Sequence, residues 1–541
     1  MYIHASDDHS LLAQSTEVLM ATGGDERLHI DHRSGVSKYY TAPKPCNTII
    51  LRSSCTSSFP TEDSFLYAQS RHRLLTQALC ENKLDDMFED LTHQVRLDIQ
   101  DVFGCKKLNP YVILTPSGTD AEMIFSLMGL ARSKQHEKKS SSSRVLNIVL
   151  AAGELGGGTA LACGLRYFNA YLPNGTKVSE QQLLHGVSEQ DITTFPIPAR
   201  DPMTGIMPSQ KQLEKYLEHV ISEAIEEKNQ YVILHAVHCS KTGMGIPSFE
   251  FIKNIKKRYH ESLIVVVDMA QMRCSDQTVS QYLQENICVL MTGSKFFEGP
   301  AFSGAVLIPQ QEGFQFINIT DDQLPTGIKS YVTKYEVDTR LTVLRSMLSR
   351  DKNIGLFLRW SAALYMIKNV YKIPELIRDT CASRWVSSVQ ALVEKTPHVE
   401  LLHGQVANFT LAEPWALLGG VNTIIPVKII SARDKKALSF NQLKKVHAWM
   451  ARDITDLLPE GVSEREKSVA KQCCLVGQPV LMAQGYQELA VLRIALGASM
   501  LLGLRKKEHD IQDLHDIVEQ LLIQDHIVLE KLSLIGKYFY Q

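Results

Sequence analysis

The feature that most limits what this chain can fold into is a set of short, almost wholly apolar runs separated by helix-patterned stretches. The runs are Leu146–Ala151, Tyr231–Ala236, Leu263–Val267, Ile287–Met291 and Gly304–Ile308. Between them, Phe249–Tyr259 and Val279–Glu285 carry the three-and-four apolar spacing of amphipathic helices. Successive side chains of a strand point to opposite faces, so a strand apolar at consecutive positions is covered on both sides. Strands of that kind alternating with helices predict an α/β unit, a mainly parallel sheet with helices on both faces.

Upstream, Asp63–Val102 repeats apolar residues at the helical period (Leu74, Leu75, Ala78, Leu79, then Met87, Leu91, Val95). Tyr111–Leu114 is strand-like and ends in Thr115-Pro116-Ser117-Gly118-Thr119, before a helix from Asp120. Residues 1–60 are polar and aperiodic, and are expected to wrap over the rest. Ser133–Arg144 reads as a solvated loop. From about Ile354 the pattern changes to a helical run, Leu356–Val393, then strands near Val399–Leu402, Thr423–Ile430 and Leu489–Ile494, with helices at Asn441–Leu458 and Ile511–Leu534. This predicts a smaller α+β domain. A chain of 541 residues exceeds what one core organises. The expected division is an N-terminal arm with helices at 1–90, a major α/β domain at 91–345 and a small domain at 346–541.

Composition removes several classes. A net charge of −2 with 21% charged residues gives no electrostatic footing for nucleic acid or an anionic membrane. No stretch nears the roughly 18 consecutive apolar residues of a membrane span. Met1–Met20 holds Asp7, Asp8 and Glu17 where a secretory signal has a basic start and an apolar centre. The 11 cysteines are scattered, with one adjacent pair, Cys473-Cys474, and no CxxC. Such a set fits reduced thiols in the cytoplasm better than a disulfide framework, and no His/Cys group has a metal-ligand spacing, so no metal is expected.

In open α/β sheets, ligands bind outside the carboxyl ends of the strands, and the notable residues fall there. Ser117-Gly118-Thr119 stands between a strand and a helix. Backbone N–H groups at a helix start plus two hydroxyls make an anion cradle, although small polar residues also make a plain helix cap. Asp268 directly follows the run Leu263–Val267, and a carboxylate there needs a partner. A protonated ring nitrogen is one; a helix cap or a metal is another. Three residues on, Gln271 is placed to donate to an oxygen of the same ring. Thr292-Gly293-Ser294-Lys295 follows the run Ile287–Met291 and precedes Phe296-Phe297. Desolvation there lowers a lysine pKa and favours the neutral amine that a Schiff base requires. A lone lysine is more often a solvated surface residue. The ordered set of hydroxyl turn, strand-end acid and, 27 residues on, strand-end lysine is harder to obtain by accident.

Over roughly residues 90 to 500 the chain resembles the fold-type I pyridoxal-phosphate (PLP) enzymes of the aspartate-aminotransferase superfamily. The stretch Asp268-Met-Ala-Gln271 is similar to the Asp-x-Ala-Gln of cysteine desulfurases and class V aminotransferases. The resemblance implies that Ser117, Gly118, Thr119, Thr292 and Ser294 hold the cofactor phosphate. It implies that Asp268 pairs with the pyridine nitrogen, that Gln271 meets the phenolic oxygen and that Lys295 carries the cofactor. Glu154 falls where these enzymes usually stack an aromatic residue on the ring, and His238 or Ser240 where they set an asparagine facing it. Leu492-Arg493-Ile494 resembles the Leu-Arg-Ile whose arginine binds the substrate carboxylate; a planar guanidinium suits a carboxylate. A structural pairing of Arg493 with a carboxylate such as Glu488 is the alternative. Cys473 and Cys474 are expected to be buried thiols rather than a desulfurase nucleophile, and the hydroxyl-rich Arg52-Ser-Ser-Cys-Thr-Ser-Ser58 a plain turn, with contact to a phosphate in a neighbouring subunit as the alternative.

The activity so implied is that of a homodimeric transferase or lyase working at the α-carbon of an amino acid or related amine. A PLP-dependent decarboxylase, or a catalytically inactive relative with a binding or regulatory role, stands as the alternative.

Overall fold

The computed structural model describes residues 8–135, 144–402, 418–485, 488–506 and 511–539; most of the expected loop at 133–144 lies outside them. Among the described residues, twelve strands form two sheets. In chain order they are β1 (Ile50–Arg52), β2 (Tyr111–Thr115), β3 (Val145–Ala152), β4 (Ile192–Pro198), β5 (Tyr231–Val237), β6 (Leu263–Met269), β7 (Cys288–Thr292), β8 (Gly304–Ile308), β9 (Val399–Leu401), β10 (Ile424–Ile429), β11 (Cys474–Gln484) and β12 (Glu488–Ala495).

The seven-stranded sheet runs β2-β8-β7-β6-β5-β3-β4. Only β8 runs against its neighbours, β2 and β7; the other pairs are parallel. Every residue of β5, β6 and β7 is buried, as their unbroken apolar runs require. Alternate residues enter different cores. Ile264 and Val266 pack with Ala121, Phe125 and Met128 of the helix Gly118–Gln135, while Leu263, Val265 and Val267 join the larger cluster on the opposite face. Helices therefore cover both faces, and this is the expected α/β architecture.

Three strands escape a reading by apolar pattern: β1, only three residues long in the segment read as aperiodic, β4 and β11. β4 contains Pro196 and Pro198 and lies at the sheet edge, the place where a missing N–H is tolerated. β11 contains Gly477 and Pro479, and its register against β12 shifts between Gly477 and Val480, so a bulge takes up both residues. Two long helical runs are each divided. Glu62–Cys80 and Leu84–Val102 are separated at Asn82, whose φ of 55° ends the first helix. Ile354–Val370 and Glu375–Lys395 are separated ahead of Pro374, which caps the second.

The five-stranded sheet runs β1-β11-β12-β10-β9, parallel only between β1 and β11. Through β1 the N-terminal segment joins strands from the far end of the chain. The turn that follows, Ser53–Ser58, consequently touches both sheets: Cys55 O accepts from Gln271 after β6, and Gln478 N on β11 donates to Thr56 Oγ1.

Candidate active site

The carboxyl ends of β2, β6 and β7 meet in one place. A Cβ added to Gly118 would stand 3.0 Å from Thr292 Cγ2, 3.5 Å from Leu290 Cδ2 and 3.8 Å from Ala270 Cβ, so the turn after β2 packs closely against the other two. Ser117 caps the helix beginning at Gly118: Asp120 N donates to Ser117 Oγ at 3.2 Å, and Ser117 Oγ donates to Asp120 Oδ2 at 2.6 Å. Thr292 Oγ1 donates to Ala270 O at 2.8 Å, tying β7 to the Asp268–Gln271 segment. Ser294 is buried beside Lys295.

Asp268 is buried near the end of β6, and its Oδ1 accepts from Ala270 N at 2.7 Å. Burial, then Glu122, raises its pKa to about 6, while Lys295 pulls it down. Lys295 Nζ makes no hydrogen bond or ion pair among the described residues. Burial lowers its pKa, Asp268 opposes that shift, and Arg493 adds to it. Gln271 Nε2 donates to Cys55 O at 3.1 Å, and its Oε1 is buried without a partner among the described residues.

Glu154, expected at the ring-stacking position, has its carboxylate held in a buried network. Its Oε1 accepts from Arg200 Nε at 2.6 Å, and its Oε2 accepts from Ser240 Oγ at 3.0 Å and from Thr242 Oγ1. Glu154 and Ser240 are thus partners in one buried network. His238 N donates to Asp268 O at 3.0 Å and its Nδ1 lies 3.2 Å from Tyr282 Oη, which sets the imidazole beside β6. Arg493 is buried in β12, and Glu488 is not its partner, because that carboxylate accepts from Phe440 N. Its guanidinium donates to Gln478 O, Lys241 O, Thr56 Oγ1 and, at 3.5 Å, Cys55 O. Cys474 lies within β11, where burial raises its thiol pKa to about 12, unlike a nucleophile.

No protein-family model and no curated protein matches this chain. Solved structures do. Tryptophan decarboxylase of Catharanthus roseus, in complex with L-tryptophan, matches with a TM-score of 0.50 and 12% identity, covering 90% of this chain and 84% of that one. Oryza sativa TDC with PLP matches with a TM-score of 0.50 and 10% identity, covering 92% and 85%. A NifS-like protein gives 0.46 at 11% identity, covering 87% and 98%. At such identities the likeness is one of fold. The chain has the fold-type I architecture.

Within that fold-type I frame the structure adds residues that pattern reading passed over. Arg27, from the N-terminal segment, donates to Ser117 Oγ at 3.0 Å and lies 3.4 Å from Thr119 Oγ1. Asp25 holds it by a bidentate pair at 2.8 and 2.6 Å and raises its pKa, and its guanidinium stands 4.6 Å from the centre of the Phe302 ring. Nothing local in sequence marks it, since it reaches the turn only through the tertiary fold. Beneath Asp268, His235 Nδ1 is 2.8 Å from Glu122 Oε2 and its Nε2 is 2.8 Å from Asn147 Oδ1. Here a signal existed: Asn147 and His235 interrupt otherwise apolar buried strands, where a polar group needs a partner. Glu122, His235 and Cys163 bring ligand atoms within 4.8 Å of one another, but both imidazole nitrogens already face hydrogen-bond partners.

A surface cavity of about 1040 Å³ lies elsewhere. Tyr231, Ser262 and Asn286 line it, at the amino ends of β5, β6 and β7. Ligands of open α/β sheets bind at the opposite ends, so the chemistry outweighs the size.

Proposed function

We propose that this chain is a PLP-dependent enzyme acting at the α-carbon of an amino acid or related amine, as a transferase or lyase. The observation that carries the reading is Lys295: a partly buried amine without a hydrogen-bonding or ionic partner among the described residues, electrostatically coupled to Asp268 at the neighbouring strand end. The donor set suits the cofactor. The N–H groups at the start of the helix Gly118–Gln135, with the hydroxyls of Ser117 and Thr119, form an anion cradle, and Thr292 and Ser294 border it. Arg27 adds a guanidinium against Ser117 and Thr119. Asp268 is the acid for a pyridine nitrogen, and Gln271 keeps a second N–H for a phenolic oxygen.

Bound there, PLP supplies the electron sink for charge left at the substrate α-carbon. The chain's own part is positional and acid–base. Lys295 Nζ, its pKa lowered by burial, takes and returns a proton at that carbon. Asp268, above about pH 6, is the anion that keeps the ring nitrogen protonated. Arg493 supplies positive charge on the side where a substrate carboxylate sits. His238 lines the site beside β6, and the Glu154–Ser240 pair fixes the loop after β5. Fold-type I sites are usually completed across a two-fold interface, and a symmetric homodimer is part of the proposal. No helix among the described residues is long and apolar enough to cross a membrane. The eleven cysteines are all free, which supports a reducing cytoplasmic setting.

The test is colour and covalent capture. Protein given PLP should absorb in the visible range, and borohydride should fix the cofactor to Lys295, located by peptide mapping. Lys295→Ala should remove the fixed adduct completely. An adduct mapped to another lysine sinks the assignment.

A further inference from the structure

Positive charge is concentrated on one side of the site. Lys241, in the loop after β5, lies within electrostatic reach of both Arg493 and Lys295. The acid near Lys241 and Arg493 is Glu154, and it is already paired with Arg200 at 2.6 Å. Nearby Arg273 has Glu298 within reach. Lys241 and Arg493 are therefore two positive charges without an acid of their own among the described residues.

The two differ in what they have left to give. The Arg493 N–H groups are directed at Gln478 O, Lys241 O, Cys55 O and Thr56 Oγ1. Lys241 is anchored at its root, its N donating to Glu154 O at 2.9 Å and its O accepting from Arg493 at 3.1 Å. Its Nζ makes no hydrogen bond or ion pair among the described residues. An ammonium with three donors unused, on a fixed backbone and beside further positive charge, is a receptor for an anion. It lies in the loop after β5, whereas the phosphate cradle lies after β2 and β7, with Arg27 against Ser117 and Thr119.

We propose that Lys241 is the anion-contacting residue of the substrate pocket, and that the pocket takes an amino acid bearing a second acidic group. Two uncompensated cations leave one charge unbalanced over a monocarboxylate and match a substrate with two anionic groups. Arg493 supplies field from behind while Lys241 makes the contact. The inference rests on the active-site reading above, and its test separates the two.

Wild-type protein, Lys241→Met and Lys241→Arg are each titrated with and without PLP. The ligands are succinate against butyrate by calorimetry, and L-aspartate, L-glutamate and O-phospho-L-serine against L-alanine by the absorbance of the bound cofactor. The wild type should bind the doubly acidic member of each set at least tenfold more tightly. Lys241→Met should weaken the doubly acidic ligands far more than the monocarboxylates and so abolish that preference, and Lys241→Arg should restore most of it. Equal affinities in the wild type, or a preference that survives Lys241→Met, overturn the proposal. The wild-type comparison decides even where a variant fails to fold. Should the wild type take up no PLP at Lys295, the cofactor reading falls, while succinate against butyrate on the bare protein still decides this one.

Discussion

At the amino ends of the large sheet, Arg132 and Lys256 share the Glu312 carboxylate at 2.9 and 2.6 Å, and Lys256 also donates to Leu263 O at 2.7 Å. At the carboxyl ends of the same strands, Lys241 and Lys295, with Arg493 of β12 donating to Lys241 O, have no carboxylate within ion-pair distance among the described residues. Arg132, Lys256 and Arg493 are buried and Lys241 and Lys295 partly so, and burying a charge is costly unless it is paired. Each amino-end cation reaches the Glu312 carboxylate, which is what a structural role requires. At the carboxyl end Glu154 is already paired with Arg200 and Asp268 makes no ion pair among the described residues, and a ligand supplying an anion would gain the interaction that the protein withholds from itself. Unbalanced charge, rather than cavity size, distinguishes the two ends.

The contrast is broken most sharply by removing the shared acid. Glu312→Gln leaves Arg132 and Lys256 buried without an anion, and breaking a buried pair in this way costs about 3–5 kcal/mol. Denaturant unfolding of the variant against the wild type should show that loss, with cofactor uptake at Lys295 unaffected in the protein that remains folded. A loss below about 1 kcal/mol would mean that the amino-end cations are less dependent on Glu312 than their distances indicate.

Arg27 stands between the two cases. Asp25 balances it, yet its remaining N–H groups face Ser117 and Thr119. Arg27→Lys keeps the charge for Asp25 and loses the planar fork. The expected effect is a loss of about 1.5–3 kcal/mol, the range for a hydrogen bond to a charged group, in the binding of PLP. Pyridoxal, which lacks the phosphate, should bind as before. A parallel weakening of both would make Arg27 a strut of the N-terminal segment instead of a phosphate ligand.

The parts of this architecture legible in sequence are those where one local segment carries the whole signal. Ser117, Asp268 and Lys295 each follow an apolar run, and the end of a buried strand is visible as the point where the run stops. The alternation of strand and helix is local in the same sense. Arg27, Lys241 and the Cys55–Thr56 turn gave no such signal. Arg27 meets Ser117 and Arg493 meets Cys55 across large separations in the chain, and a turn of hydroxyls looks the same whether or not a guanidinium lies against it. The Ser53–Ser58 segment, read as a plain turn, becomes part of the site wall only because β1 pairs with β11. β4 and β11 were hidden by their prolines, which are compatible with strands at an edge or a bulge, contexts that only the assembled sheet defines.

The smallest expected effect sharpens the contrast at a single side chain. Burial, with Arg493 and Lys295 nearby, holds the Lys241 pKa at about 8, against about 10.4 for an ordinary lysine. Between those pH values the unfolded chain binds the proton and the folded chain does not. Stability from this group therefore rises with pH across that window, and below about pH 8 its cost is constant because both states are charged. Lys241→Met keeps most of the stem and removes the charge. At about pH 7.5 the variant should be the more stable by about 0.5–2 kcal/mol, the usual gain when a functional strain is relieved. The difference should close as pH approaches about 10.5. Succinate at about pH 7.5 should narrow it from the other side, since a ligand that binds the folded wild type stabilises that protein alone. Paired denaturant curves at three pH values, with and without succinate, check both movements. A difference that stays constant with pH, or a variant less stable than the wild type at about pH 7.5, would place Lys241 among the balanced structural cations with Arg132 and Lys256.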